Sequence, residues 1–307
     1  YLSKFCRNNL QPAIAITDTS NMFGALEFSL EMVSKGIQPI IGIQVNIAES
    51  NENEIDVGEV VLIAKNEIGY KNLLALTSQL NNNIDNKKFI TWQNLKNHND
   101  GLILLTGGIE TGFIGKPASL ENTTLVTKRL KILKKIFQYN LYIELQRHGL
   151  KNQIISEKIL IDAAENFNLP IVATNDCFFE NPQKFNSHQV LTCIDKGLTI
   201  SSSNRRLLTA EHYLKNSSSM ISLFKDIPEA IENTIIIAKR CSFFAKTHKP
   251  ILPTYPGLKD ISENDFLYKI SEEGLKGRIN CLNKKFTTEE ELKYFKRLKL
   301  ELSIINE

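Results

Sequence analysis

Leu141-Tyr142-Ile143-Glu144-Leu145, a helical stretch at about 152–167, and then Leu169-Pro170-Ile171-Val172-Ala173-Thr174 form the passage that decides the fold. Two short β-rich runs flank a segment of helix length. Strands separated in this way are joined by a crossover and lie parallel. The same alternation continues toward the N-terminus. Ala13-Ile14-Ala15-Ile16-Thr17 is a compact apolar run ending in Asp18. Residues 22–35 follow with a helical face at Met22, Phe23, Leu26, Leu30 and Val33, closed by Gly36. Pro39 to Val45, Val60 to Ala64 and Leu102 to Leu105 read as further strands, with helices at about 69–80 and 121–137. Repeated βα units predict an α/β fold with a mostly parallel sheet or barrel.

Beyond residue 180 the pattern changes. Helical segments near 183–196, 217–224 and 228–243 follow one another. Lys249-Pro250-Ile251-Leu252-Pro253-Thr254-Tyr255-Pro256-Gly257 carries three prolines and a glycine and reads as an extended connector. Two helices, at about 263–282 and 288–305, come after it. The second opens on the capping-box pattern Thr287-Thr288-Glu289-Glu290. The expected division is 1–248 for the α/β domain, 249–262 for the connector and 263–307 for a helical start of another region.

The 307 residues are 42% hydrophobic and 23% charged, as in a folded globular chain. A net charge of +3 gives no case for nucleic-acid binding by itself. No apolar run approaches the roughly 20 residues of a membrane span. Cys6, Cys177, Cys193, Cys241 and Cys281 are odd in number and scattered. They predict reduced thiols in a cytoplasmic protein, with Cys193 and Cys241 in the core. P-loop, G-x-G-x-x-G and G-x-S-x-G motifs do not occur, which removes the sequence case for an NTPase, a Rossmann dehydrogenase or a serine hydrolase.

In βα folds chemistry gathers at the C-terminal ends of strands. Those ends hold Thr17-Asp18-Thr19, Gln44, Gly107-Gly108, the group Glu144, Arg147 and His148, and Asn175-Asp176-Cys177-Phe178. Such residues could contribute to a metal centre, but carboxylates and imidazoles are few for a multinuclear one. The structural alternative has Asp18 and Asp176 capping the following helices and His148 hydrogen-bonded in a loop. Lys128, Arg129, Lys131, Lys134 and Lys135 predict a solvated basic helix face, and Asn204-Arg205-Arg206 a charged turn.

Ala15-Ile16-Thr17-Asp18-Thr19-Ser20-Asn21-Met22-Phe23-Gly24-Ala25-Leu26-Glu27-Phe28 resembles the second metal motif of the polymerase-and-histidinol-phosphatase (PHP) domain. The resemblance continues in order through Pro39–Val45, Tyr142–Gly149 and Val172–Asp176. It extends through His188–Ile194, Ile231–Cys241 and Glu272-Glu273-Gly274-Leu275. The version is that of the bacterial replicative, C-family DNA polymerases.

This resemblance implies a distorted (βα)7 PHP barrel lacking its first, His-x-His strand, followed by a helical connector toward a polymerase palm. Of the family's metal slots, Asp18, His148 and Asp176 are retained. Thr19, Gln44, Gly108 and Phe178 stand where the family places His, Glu, Cys or His, and His. Gln carries no charge and Phe no donor, so the implied barrel holds no catalytic metal. Its implied role is to dock the proofreading exonuclease among the other replicase subunits. DNA contact and Mg²⁺-dependent nucleotide transfer are expected only of downstream domains, and no membrane is implied. Two other readings are an active metal-dependent phosphoesterase or 3′–5′ exonuclease, and a non-functional remnant of a split gene.

Overall fold

The computed structural model describes residues 1–49, 57–82, 89–202, 208–250, 253–256, 258, 261–282 and 286–306. Asn204, Arg205 and Arg206 lie outside the described residues, as do Ile251, Leu252 and Gly257 of the connector. The chain forms two compact units, Tyr1–Thr247 and His248–Glu307.

The first unit opens with α1 (Leu2–Asn8), β1 (Ala13–Thr19), α2 (Ala25–Ser34), β2 (Gln38–Ala48), β3 (Gly58–Ala64) and α3 (Glu67–Asn82). It continues with β4 (Ile90–Thr91), α4 (Trp92–Asn97), β5 (Leu102–Leu105), α5 (Gly115–Ser119) and α6 (Thr123–Phe137). Then come β6 (Leu141–Leu145), α7 (Lys151–Phe167) and β7 (Ile171–Ala173). Three helices end the unit: α8 (Phe185–Asp195), α9 (Ser217–Leu223) and α10 (Pro228–Arg240).

The strands form one sheet in the order β1-β2-β3-β5-β6-β7, with β4 added to β2. Pairing is parallel for β1 with β2, β5 with β6 and β6 with β7. It is antiparallel on both sides of β3, a reversal that the βα rhythm does not announce. Because β3 reverses twice, β1 and β7 run in the same direction, and they are the two free edges of the sheet.

Side chains alternate between the two sheet faces with period two. Ile43, Val45, Val60, Leu62, Leu104, Leu141 and Ile143 face the helical layer and join its large core. Ile40, Val61, Ile63, Ile103, Leu105, Tyr142 and Val172 face the concave side, where they meet Ile237 and Cys241 from α10 and its end. This parity decides the site, because Glu144 shares the inward face with Tyr142.

One expectation about the helices is corrected, that of the solvated basic face on α6. On α2 the buried side chains are Ala25, Phe28, Ser29 and Met32. Of the apolar positions at helical spacing, Met22 packs against the core, Phe23 before the helix is 88% exposed, and Leu26, Leu30 and Val33 are also exposed. Phe28 and Met32 win the core because β1 presents Ile14 and Ile16 to them. On α6 the basic face is not uniformly solvated. Arg129 is buried, donates to the Phe113 carbonyl at 2.8 Å and lies over the Phe113 ring. Lys128 pairs with Glu49 at 2.6 Å.

Cys6, Cys193 and Cys241 are buried free thiols. No helix among the described residues is long and apolar enough to cross a membrane. In the second unit, α11 (Glu263–Cys281) starts from Ser262, whose hydroxyl accepts from the Asp265 amide. The start of α12 (Thr288–Asn306) is a capping box: Thr287 N–H donates to Glu290 at 2.9 Å, and Glu290 N–H donates to the Thr287 hydroxyl at 3.3 Å.

Candidate functional site

Between the free edges of β1 and β7 lies a cleft of about 720 Å³. Its floor is apolar, built by Ile40, Val61, Ile63, Leu105, Val172 and Ile237. Its mouth is polar, carrying Asp18, Thr19, Gln44, Glu144, Gln146, Thr174 and Asp176. This gradient follows from the strands, which are apolar along their length and polar at their C-terminal ends.

Of the three residues at expected metal slots, Asp18 and Asp176 line the cleft and His148 does not. Thr19 faces Gln44 across the β1–β2 ladder, and its hydroxyl donates to the Gln44 side-chain carbonyl at 3.1 Å. Asp18 has the opposite parity, that of Ile14 and Ile16, and sits on the α2 side of the rim. A Cβ placed on Gly24 would lie 3.5 Å from its carboxylate. Neither Asp18 nor Asp176 caps a helix. The residues at the N-caps of α2 and α8 are Gly24 and Lys184, neither with a side-chain cap bond, because a turn of several residues separates each strand end from its helix.

His148 does not line the cleft. It is buried in the β6–α7 loop, 3.2 Å from Asn175 Oδ1 through Nε2 and 3.4 Å from Gln153 Nε2 through Nδ1. Its ring stacks on that of His212, with centroids 3.9 Å apart. His148 is therefore a hydrogen-bonded loop residue, with His212 as a partner that no local sequence signal indicates. Phe178 stacks on His188 at 5.5 Å.

Gly108 is overlain by a neighbour. A Cβ there would come within 2.3 Å of Gln146 Oε1, so the Gln146 carboxamide fills the space a larger side chain would take. That carboxamide in turn donates to Glu144 at 3.1 Å and to Thr174 at 3.2 Å. No group of three or more His, Cys, Asp or Glu side chains placed to hold a metal ion occurs among the described residues.

Glu144 is the centre of the mouth and the residue sequence reasoning undervalued. It is only 4% exposed. One carboxylate oxygen accepts from the Gly107 amide at 3.0 Å, and the other accepts from Gln146 and from the Thr174 hydroxyl. Its own amide donates to Thr106 Oγ1 at 3.0 Å. Gly107 can make this approach because it holds φ +81°. Burial pushes the Glu144 carboxyl up to about 7, and nearby Asp176 adds to the rise, while the three donors oppose it. The available signal was a lone carboxylate inside the otherwise apolar run Leu141–Leu145.

Arg147, next in the loop, is a clamp. It forms paired bonds to Glu157 at 2.8 and 2.6 Å and to Asp226 at 2.6 and 2.7 Å, and it donates to the Leu223 carbonyl at 2.7 Å. It thereby ties the end of β6 to α7 and to the turn between α9 and α10. Its guanidinium lowers the Asp226 carboxyl to about 2.

Residues 2–148 match the PHP domain family. Over 305 residues the chain is 40% identical to the DNA polymerase III subunit alpha of Rickettsia bellii, covering 95% of this chain and 25% of that protein. It is 36% identical to the same subunit of Caulobacter vibrioides, covering 99% of this chain and 27% of that protein. With the Haemophilus influenzae subunit the identity is 34%, across 100% of this chain and 26% of the relative. The chain thus spans about a quarter of the length of the curated relatives it matches.

Proposed function

The chain is a PHP-domain relative of the DNA polymerase III alpha subunits, and on that premise we propose that it is the N-terminal part of such a subunit, a scaffold without metal chemistry that docks the proofreading exonuclease. One observation supports the non-catalytic half of this reading: the side chains at the expected metal slots are not arranged as a set of donors around one point. Thr19 is bonded to Gln44, His148 lies outside the cleft against Asn175 and His212, and Phe178 offers a ring where a nitrogen donor is needed. A divalent ion needs several converging anionic or imidazole donors. This donor set does not fit one, so no hydrolytic step is derived.

The docking half is supported by the exposed apolar residues Leu26, Leu30 and Val33 on α2 and Phe23 in the turn before it. Nucleotide transfer and DNA contact, with the Mg²⁺ they require, are assigned to residues outside this chain. Co-elution of the purified chain with the proofreading exonuclease in size-exclusion chromatography tests the proposal. A stable complex is expected, and its absence at micromolar concentrations of both proteins would contradict the docking role.

A further inference from the structure

At the end of the sheet opposite the cleft mouth, two cations meet over one neutral oxygen. Lys65 follows β3, Asn140 precedes β6 and Arg240 closes α10. Pairing of Ala64 with Leu102, and of Leu104 with Leu141, brings the two strand ends together. Lys65 Nζ donates to Asn140 Oδ1 at 3.0 Å, and Arg240 Nη2 donates to the same oxygen. Arg240 Nη1 donates to the Tyr142 hydroxyl at 2.8 Å and to the Tyr139 carbonyl at 3.2 Å. The strands β3, β5 and β6 are interior to the sheet order, so this place owes nothing to the free edges of β1 and β7.

Every one of those acceptors is uncharged. Among the described residues neither Lys65 nor Arg240 is in an ion pair. Both side chains keep N–H groups beyond the bonds they make. Burial and the Arg240 charge hold the Lys65 ammonium below the usual lysine range, with Asp100 and Cys241 opposing. Burial pushes the Cys241 thiol up to about 11, so it brings no negative charge at neutral pH. Lys65, Asn140 and Arg240 are all half-buried, and Ser242 beside them is exposed. Its amide donates to the Lys65 carbonyl at 2.9 Å. Two partly desolvated like charges on one neutral acceptor lack a counter-charge that an anion would supply.

We propose that Lys65 and Arg240 bind a dianionic phosphate group, either the free ion or the terminal phosphomonoester of a small molecule, with Ser242 at the rim. The guanidinium supplies directed bonds to phosphate oxygens and the ammonium a compact charge. Asn140 holds the two cations together. This reading goes beyond the scaffold role and does not depend on exonuclease docking.

Calorimetric titration of the 307-residue chain with inorganic phosphate at low ionic strength tests it. Saturable binding at one site is expected, with Kd of about 1 mM or tighter. Lys65→Met should weaken it at least tenfold. Asn140→Asp should also weaken it at least tenfold, while raising the melting temperature by about 2–4 °C, because a carboxylate at that contact supplies the counter-charge internally. Lys158→Met, on the exposed side of α7, should change affinity less than twofold. Nitrate, a monoanion, should bind at least tenfold more weakly than phosphate. Glycerol 3-phosphate binding as tightly as phosphate identifies a phosphomonoester, and phosphate binding alone identifies the free ion. Should Lys65→Met lose the parent's circular dichroism, Asn140→Asp carries the test. The proposal is overturned by no saturable binding up to about 10 mM phosphate, by Asn140→Asp that binds like the parent or melts lower, or by nitrate binding equally well. An equal loss in Lys158→Met overturns it too, since that is diffuse attraction to a basic surface.

Discussion

Glu144 is a carboxylate that the fold places where a carboxylate is costly, on the inner face of β6 beside Asp176. Its folded value of about 7 lies above the 4.5 of an unperturbed carboxyl. Folding therefore favours the protonated form. The stability it contributes is complete below about pH 4.5 and is lost as pH rises through about 7. Glu144→Gln should flatten this dependence and raise stability above pH 7 by about 1–3 kcal/mol, because the amide oxygen still accepts from Gly107. Denaturant melts of both proteins between pH 4 and 9 check this, and a parallel pair of curves would refute it. At Gly108 a side chain collides with Gln146. Gly108→His should cost about 1–3 kcal/mol, and Gln146→Ala in the same chain should recover most of that, as a double-mutant cycle measures. Sequence made Asp18, Thr19, Gln44, Gly108, His148, Asp176 and Phe178 visible by type and order. It could not show that Gln146 covers Gly108 or that His148 stacks on His212, 64 positions away in the chain, since those facts belong to side-chain packing between distant segments.

At the scale of elements, strand and helix positions were legible because period two and period 3.6 leave separate marks on the sequence. The antiparallel insertion of β3 was not, since pairing direction leaves no mark in an apolar run. The facing of α2 was not legible either: both of its faces carry apolar residues, and only β1 decides which is buried. Leu26→Glu with Leu30→Glu should leave the melting temperature within a few degrees, as exposed changes do, while weakening exonuclease binding at least tenfold. Calorimetry and the co-elution assay report the two effects separately. Arg147 joins three elements at one point. Arg147→Ala should destabilise the first unit by about 2–4 kcal/mol through lost charged hydrogen bonds. Arg147→Lys should restore less than half, since an ammonium cannot hold two carboxylates in paired bonds. Chemical denaturation of the three proteins measures it.

At the scale of the whole molecule, a curled sheet carries its polar residues at one end, where Thr19 is bonded to Gln44 while His148 lies outside the cleft against Asn175 and His212. On the proposed function, the cleft serves as structure and binding surface without a metal ion. Metal content measured on the purified chain after equilibration with Mn²⁺ and Zn²⁺ and passage through a desalting column tests this most directly. Less than a tenth of an equivalent of either ion is expected, with no hydrolysis of phosphate esters above buffer. Retention of one or more equivalents, with ester hydrolysis abolished by His148→Ala, would contradict it.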